Sequence, residues 1–398
     1  NDEFSIHKYW QVQDFTNLKS KDEAIKEIQT LFRDSVKHQL ISDRPVGIFL
    51  SGGIDSTAVL GAVKEFHDGK IKTFSVGFKD STDSNKFNAD FYLARETAKV
   101  YDTDHHEFLI GPDEVLARLE QIAWHLDEPN SNPTAGAMFL LSEIAKKEVA
   151  VVLGGDGGDE LFGGYPRYYY SSLISKTQKY VPKILRNLIS TKLNLSADEL
   201  RITAFLCQKP ELLSKVIQAK VLNNNVSNEY LKQKYFIQQN IIEDFEKYFM
   251  NVDRQSWLVD ESLVRTNKMS MAHGLESRVP ILDYRLIELA NRIPTSWKFS
   301  VWETSGGNFQ GKKIWRQAMQ EYLPKHIQNK QKRGWFTPMA KWLRQRNMRE
   351  YITGVLSALP AEFFNVAEVQ KIWDDHLTGQ VYNLNIIWAL VMWQLWYK

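Results

Sequence analysis

A chain of 398 residues with 43% apolar content is long enough for one large domain or two ordinary ones with a proper core. Its 50 basic and 48 acidic residues, net charge +2, leave no electrostatic footprint for nucleic acid. One cysteine, Cys207, excludes an intrachain disulfide framework and suits a reducing compartment; with no run near the ~18 apolar residues of a spanning helix and no signal peptide at the start, the expectation is a cytoplasmic protein without a membrane partner. Residues 1–19 have no period, although KYW at 8–10 reads as an anchor onto a core. Ser20 and Glu23 form a capping-box pattern, and Ile25, Ile28, Leu31, Phe32 and Val36 continue as one face of a helix over about 20–40.

The stretch VGIFLSGGIDST at 46–57 then reads as a buried strand, a phosphate-gripping turn and a helix start. Gly52 and Gly53 lack the Cβ that would obstruct a phosphate, and Ser51, Ser56 and Thr57 add hydroxyls beside the free N–H groups of a first helical turn, where the helix dipole favours an anion. Asp55 would repel phosphate there unless a magnesium ion lies between them. Further strands are expected at 71–78 (IKTFSVGF), 105–110 (HHEFLI) and 149–153 (VAVVL), separated by helices over ADFYLARETAKVY, 112–126 and 134–147. Near-continuous apolar strands alternating with helices imply an α/β fold, a parallel sheet with helices on both faces and an active crevice at the carboxyl ends of its strands.

A second acid-bearing glycine turn, LGGDGGDELFGGY at 153–165, comes directly off the fourth strand with Asp156, Asp159 and Glu160. Asp159 and Asp55 together match magnesium's use of one or two carboxylates plus phosphate oxygens and water. Beyond residue 165 the pattern is helical and no further strand is expected. Cys207, in TAFLCQKPELL, reads as a buried helical thiol, and the final IIWALVMWQLWYK as a core helix packing through Trp388, Met392 and Trp396. GGNFQGKK at 306–313 comes close to a Walker A loop, but it ends on Lys313 and follows no apolar strand, so it reads as a surface turn. His105 and His106 are adjacent on a strand and point to opposite faces, which argues against a shared metal.

SGGIDS resembles the PP-loop of the ATP pyrophosphatases, and SGGxDS with LxGxGxDExFxGY resembles the synthetase domain of asparagine synthetases. The likeness continues in NKMSMAHGLESRVPILD at 267–283, in KQKRGWFTP at 330–338 and in the tryptophan-rich end. It implies a linker remnant over 1–19, a nucleotide-binding α/β part over 20–165 and a helical part over 166–398. It also implies roles: Ser51, Gly52, Gly53, Asp55 and Ser56 as the pyrophosphate loop; Asp55 and Asp159 as magnesium ligands; Leu50, Val76 and Gly77 beside adenosine; Gly155 by the nucleotide; Asp156 at the amine-addition step; Lys332 neutralising pyrophosphate. By itself Lys332 reads as one solvated charge in the basic run Lys325 to Arg333, beside Lys325 and Lys330. Glu276 and Arg278 read equally as shaping an acceptor site and as a structural pair. The chain departs from the family pattern at Asp156, where Glu is usual, at Gly154, where a hydroxyl residue is common, and at Asn267, where Asp is usual.

The resemblance thus implies a ligase that adenylates a carboxylate, the aspartate side chain by this reading, with ATP and Mg2+ and releases AMP and pyrophosphate on amide formation. A β-lactam synthetase, lasso-peptide cyclase or sugar-acid amidotransferase is the nearest alternative. A tRNA-modifying PP-loop enzyme should carry a basic appended region, and a catalytically silent scaffold would tolerate loss of the acids. Asn1 in place of an N-terminal cysteine and the short lead-in imply that the chain as given takes ammonia, or is fed by a glutaminase domain or subunit.

Overall fold

The computed structural model describes residues 5, 7, 9–12, 18, 20–79, 84–182, 185, 210–221, 245–300, 304–305, 308–328, 330 and 334–398. Its centre is a five-stranded parallel sheet in the order β3-β2-β1-β4-β5, built from β1 (Val46–Phe49), β2 (Lys72–Phe78), β3 (Asp104–Ile110), β4 (Val151–Leu153) and β5 (Glu276–Arg278). From β1 the chain builds outward through β2 to β3, then returns to place β4 and β5 on the other side. The strand order therefore switches between β1 and β4, and the carboxyl ends at such a switch are where open α/β sheets bind ligands.

The expected α/β fold is present, with three corrections in its strands. β5 lies in the stretch read as strand-free; its three residues, Glu-Ser-Arg, are too few and too polar to show a period, and it forms because β4 offers an unpaired edge, with Val151 opposite Glu276 and Leu153 opposite Arg278. A two-residue hairpin, Thr304–Ser305 with Asn308–Phe309, is likewise below the reach of pattern. The fourth strand is also shorter than read, 151–153 rather than 149–153.

The first helix, Lys21–Gln39, starts where its cap predicts: the Ser20 hydroxyl accepts from the Glu23 N–H at 3.1 Å, and Ala24, Ile28, Phe32 and Val36 form the buried stripe. The helix Ile54–Val63 has no polar face, and every residue in it except Asp55 is buried. Strand alternation divides the core. Ile48 and Leu50 pack with Lys21–Gln39, Ile54–Val63 and residues 281–327, whereas Phe49 and the ends of β2 and β3 meet helices from 115–140 and 339–392. Both cores draw on residues before and after 165. In the last helix, Leu384–Tyr397, Trp388 and Met392 are fully buried, but Trp396 is 45% exposed and packs less than expected. At the amino end, Tyr9 is exposed and Trp10 donates its indole N–H to Glu288 at 2.9 Å. The expected helical setting of Cys207 lies outside the described residues.

Candidate active site at the switch point

The turn after β1 owes its shape to Gly52, whose φ of +64° is in the left-handed region and whose place is enclosed. A Cβ there would lie 2.3 Å from the Asp90 carbonyl oxygen and 2.7 Å from the Ala94 nitrogen. The turn is thus pressed onto the helix Ala89–Val100. Ser51 and Ser56 are bonded to each other, Oγ to Oγ at 3.0 Å, and the Ser51 hydroxyl accepts from the Gly53 N–H at 3.3 Å. Thr57, read as a third hydroxyl donor, is wholly buried, and its hydroxyl has no hydrogen-bond partner. Leu50 follows β1, its N–H bonded to the Phe74 carbonyl at 2.9 Å. Val76 and Gly77 lie near the carboxyl end of β2, where a Cβ on Gly77 would meet Leu109 at 2.9 Å and Phe91 at 3.0 Å.

The second glycine turn lies against the first. A Cβ on Gly155 would lie 2.6 Å from the Ser56 nitrogen, and one on Gly158 2.5 Å from Asp55 Oδ1, so both positions must be bare for the loops to meet. Gly157 adds a left-handed φ of +87° and opens the helix Gly158–Phe162, which carries Asp159 and Glu160 inward. Asp156 is half-buried at the mouth of this turn. Two departures from the family pattern touch: a Cβ on Gly154 would come within 3.3 Å of Asp156 Oδ2, so the missing side chain makes room for the shorter carboxylate. The third, Asn267, is exposed on the helix Val264–Met271.

One ammonium joins the two acids. Lys312 Nζ lies 2.5 Å from Asp55 Oδ2 and 2.7 Å from Asp159 Oδ1, and its side chain is 5% exposed. Sequence reading put this lysine in a surface turn, and the structure corrects that. Its signal was tertiary: Trp315, one turn on, is fully buried between Phe32 and Phe162, with ring centroids at 5.0 and 4.8 Å. Arg316 ties the segment down by donating to the carbonyls of Gly311, Gln328 and Lys330. Burial pulls the Arg316 guanidinium below its ordinary value, and the charges of Asp55 and Asp159 push it back up. Lys312 itself is left-handed, φ +59°, a conformation that costs a side-chain-bearing residue about 1 kcal/mol. Lys330, read as solvated, is also corrected: it is 10% exposed and bonds the Gly52 carbonyl at 2.8 Å and Asp90 Oδ1 at 2.6 Å. Lys332 lies outside the described residues.

Behind Asp159, Glu160 is 2% exposed and accepts from the Tyr165 hydroxyl at 2.8 Å. Burial, and then the charge of Asp159, push its carboxyl up to about 7. Tyr165 leads to Arg167, which stacks over its ring and pairs with the fully buried Asp253 at 2.8 Å. The second glycine-turn motif contains Glu160 and Tyr165, but no motif announced their link to Arg167 and Asp253. Glu276 and Arg278 are brought to β5 rather than to the acid pair: Arg278 pairs with the exposed Glu276 at 2.6 Å and donates to the carbonyls of Gln39 and Ile41 at 2.7 Å, fastening the edge strand to the end of the first helix.

Asp55 Oδ1 is buried and has no hydrogen-bond partner, which is costly for a carboxylate oxygen unless a cation completes it. Among the described residues no three His, Cys, Asp or Glu side chains gather as a cation cage. Two carboxylates fit magnesium, which takes its remaining ligands from phosphate and water.

The sequence profile of the asparagine synthase family matches residues 27–398. The chain is 30% identical over 393 residues to the glutamine-hydrolysing asparagine synthetase 1 of Bacillus subtilis, covering 95% of this chain and 60% of that protein. It is 27% identical over 341 residues to asparagine synthetase 3 of the same organism, covering 82% and 50%. To the Gibberella zeae protein named amidase chry2 it is 22% identical over 396 residues, covering 86% and 57%. The chain thus spans between 50% and 60% of the length of these relatives. It belongs to the asparagine synthase family.

Proposed function

We propose, with that membership as premise, that the chain is an ATP-dependent amide ligase that activates a carboxylate, by our reading the side chain of aspartate, and transfers the acyl group to ammonia. The carboxylate oxygen attacks the α-phosphorus as the bond to pyrophosphate breaks. The amine nitrogen then attacks the acyl carbon, AMP leaves, and the surplus ammonium proton passes to a base. The observation that carries the reading is the convergence of Asp55 and Asp159, from turns after β1 and β4, on one point at the sheet's switch position.

Asp55 and Asp159 would hold magnesium, which when bound supplies neutralising charge for the polyphosphate. Leu50, Val76, Gly77 and Gly155 line the adenosine side. The first turn of Ile54–Val63 offers N–H groups that have no acceptor within the helix, and Lys332 takes the charge growing on pyrophosphate. Asp156, half-buried beside Gly154, would accept the proton of the incoming amine. Glutamine hydrolysed in an accompanying domain or subunit is the proposed nitrogen source, in keeping with the names of the Bacillus relatives.

A second reading, amide formation on another acid, is favoured by the Asp156 and Gly154 pair, which reshapes the mouth of the site. Mass spectrometry of products from ATP, magnesium, ammonium and a panel of carboxylic acids tests both. Asparagine with AMP and pyrophosphate is expected; another amide with AMP selects the second reading, and ADP overturns the chemistry.

A further inference from the structure

We infer that Lys312 is an internal cation that holds the two acid loops together before metal and nucleotide arrive, and that it yields its place to the metal and turns to the phosphates. The inference rests on the reading of Asp55 and Asp159 as metal ligands. Its own support is geometric: one ammonium contacts an oxygen of each carboxylate, so a cation bridging the same two acids displaces it. The pairing is tight on all sides. A Cβ on Gly164 would fall 1.8 Å from Asp159 Oδ1 and 2.3 Å from Lys312 Cε, so the chain keeps a bare backbone against the pair.

The site is built around this lysine rather than merely crossed by it. Lys312 is held left-handed at the start of the helix Lys313–Ala318, and Trp315 and Arg316 lock that helix in place. A non-glycine residue kept in such a conformation by its surroundings is a mark of function. Yet one ammonium leaves two carboxylates short by a charge, and Asp55 Oδ1 has no partner. The lysine is thus an incomplete substitute for a divalent ion, and its four-carbon stem lets the charge swing to a nearby anion. A triphosphate laid on the turn after β1 is that anion, since an ammonium binds phosphate as a point charge.

The test is calorimetric titration of magnesium into the full chain, with and without a non-hydrolysable ATP analogue, for the wild type, Lys312→Met and Asp55→Asn. Without nucleotide, Lys312→Met should bind magnesium about ten-fold more tightly than the wild type, and magnesium should raise its Tm by more. With magnesium saturating, the same variant should bind the analogue about ten-fold more weakly. Magnesium affinity that is unchanged or lower in Lys312→Met overturns the inference, while loss of binding in Asp55→Asn leaves the metal reading standing. If Asp55→Asn binds magnesium as the wild type does, the metal reading itself fails, and this inference with it. Should Lys312→Met not fold, the wild type supplies the answer: acetylation of Lys312, followed by mass spectrometry, should rise several-fold on saturation with magnesium. Unchanged labelling at saturation overturns the proposal.

Discussion

The acids and the cations of this site reach it by different routes. Asp55 and Asp159 stand on turns shaped almost residue by residue: Gly52 and Gly157 take left-handed angles, and Gly155 and Gly158 leave no side chain where the turns touch. Lys312, Arg316 and Lys330 come from residues 311–328 and 330, which no glycine–acid turn marks and whose place depends on Trp315 packing against Phe32 and Phe162. The acids are thus local features of strand ends, and the cations are products of packing. Changing an acid should strike the chemistry and spare the fold; changing a buried cation or a spacing glycine should strike the fold first.

The sharpest break is Asp55→Asn, which should lower kcat/KM by about 10³-fold, some 4 kcal/mol, with a Tm near that of the wild type. Near-normal turnover would remove Asp55 from the machinery. Gly52→Ala should instead cost about 3 kcal/mol of stability, because a methyl there meets the Asp90 carbonyl and requires a left-handed alanine. Urea unfolding reads this directly, and a wild-type midpoint would mean that the turn can move off its neighbour.

Lys330→Met and Lys325→Met compare two lysines that look alike in the sequence. The first strips a buried partner from Asp90 and the Gly52 carbonyl and should cost about 2 kcal/mol; the second, exposed, should stay within about 0.5 kcal/mol. Equal effects would return Lys330 to the solvated class. The last expected effect depends on pH. Glu160, held up to about 7 against an ordinary 4.5, keeps a proton in the folded chain that the unfolded chain releases. Its contribution is present in full below pH 4.5 and is lost as pH rises through about 7, on the order of 3 kcal/mol. Glu160→Gln should flatten that slope, and denaturant melts at about pH 5 and about pH 8 would show it. A slope identical to the wild type would place the proton elsewhere.

Much was legible without the structure, where the chemistry is local. The first helix declared itself through its cap and stripe, the inner strands through unbroken apolar runs, and the two acid loops through glycines that only close backbone contact requires. The sequence by itself therefore determined a parallel α/β sheet with two carboxylates at its strand ends. It was silent where position comes from contacts far apart in the chain. β5 is a strand only because β4 leaves an edge to pair, and Lys330 is buried only because the turn after β1 offers it a carbonyl. Lys312 reaches Asp55 across 257 positions, and loop-like composition carries no mark of such a partner. Burial of an aromatic ring one turn away decides where that ammonium sits, and only the tertiary structure records it, because packing acts between residues that no local pattern connects.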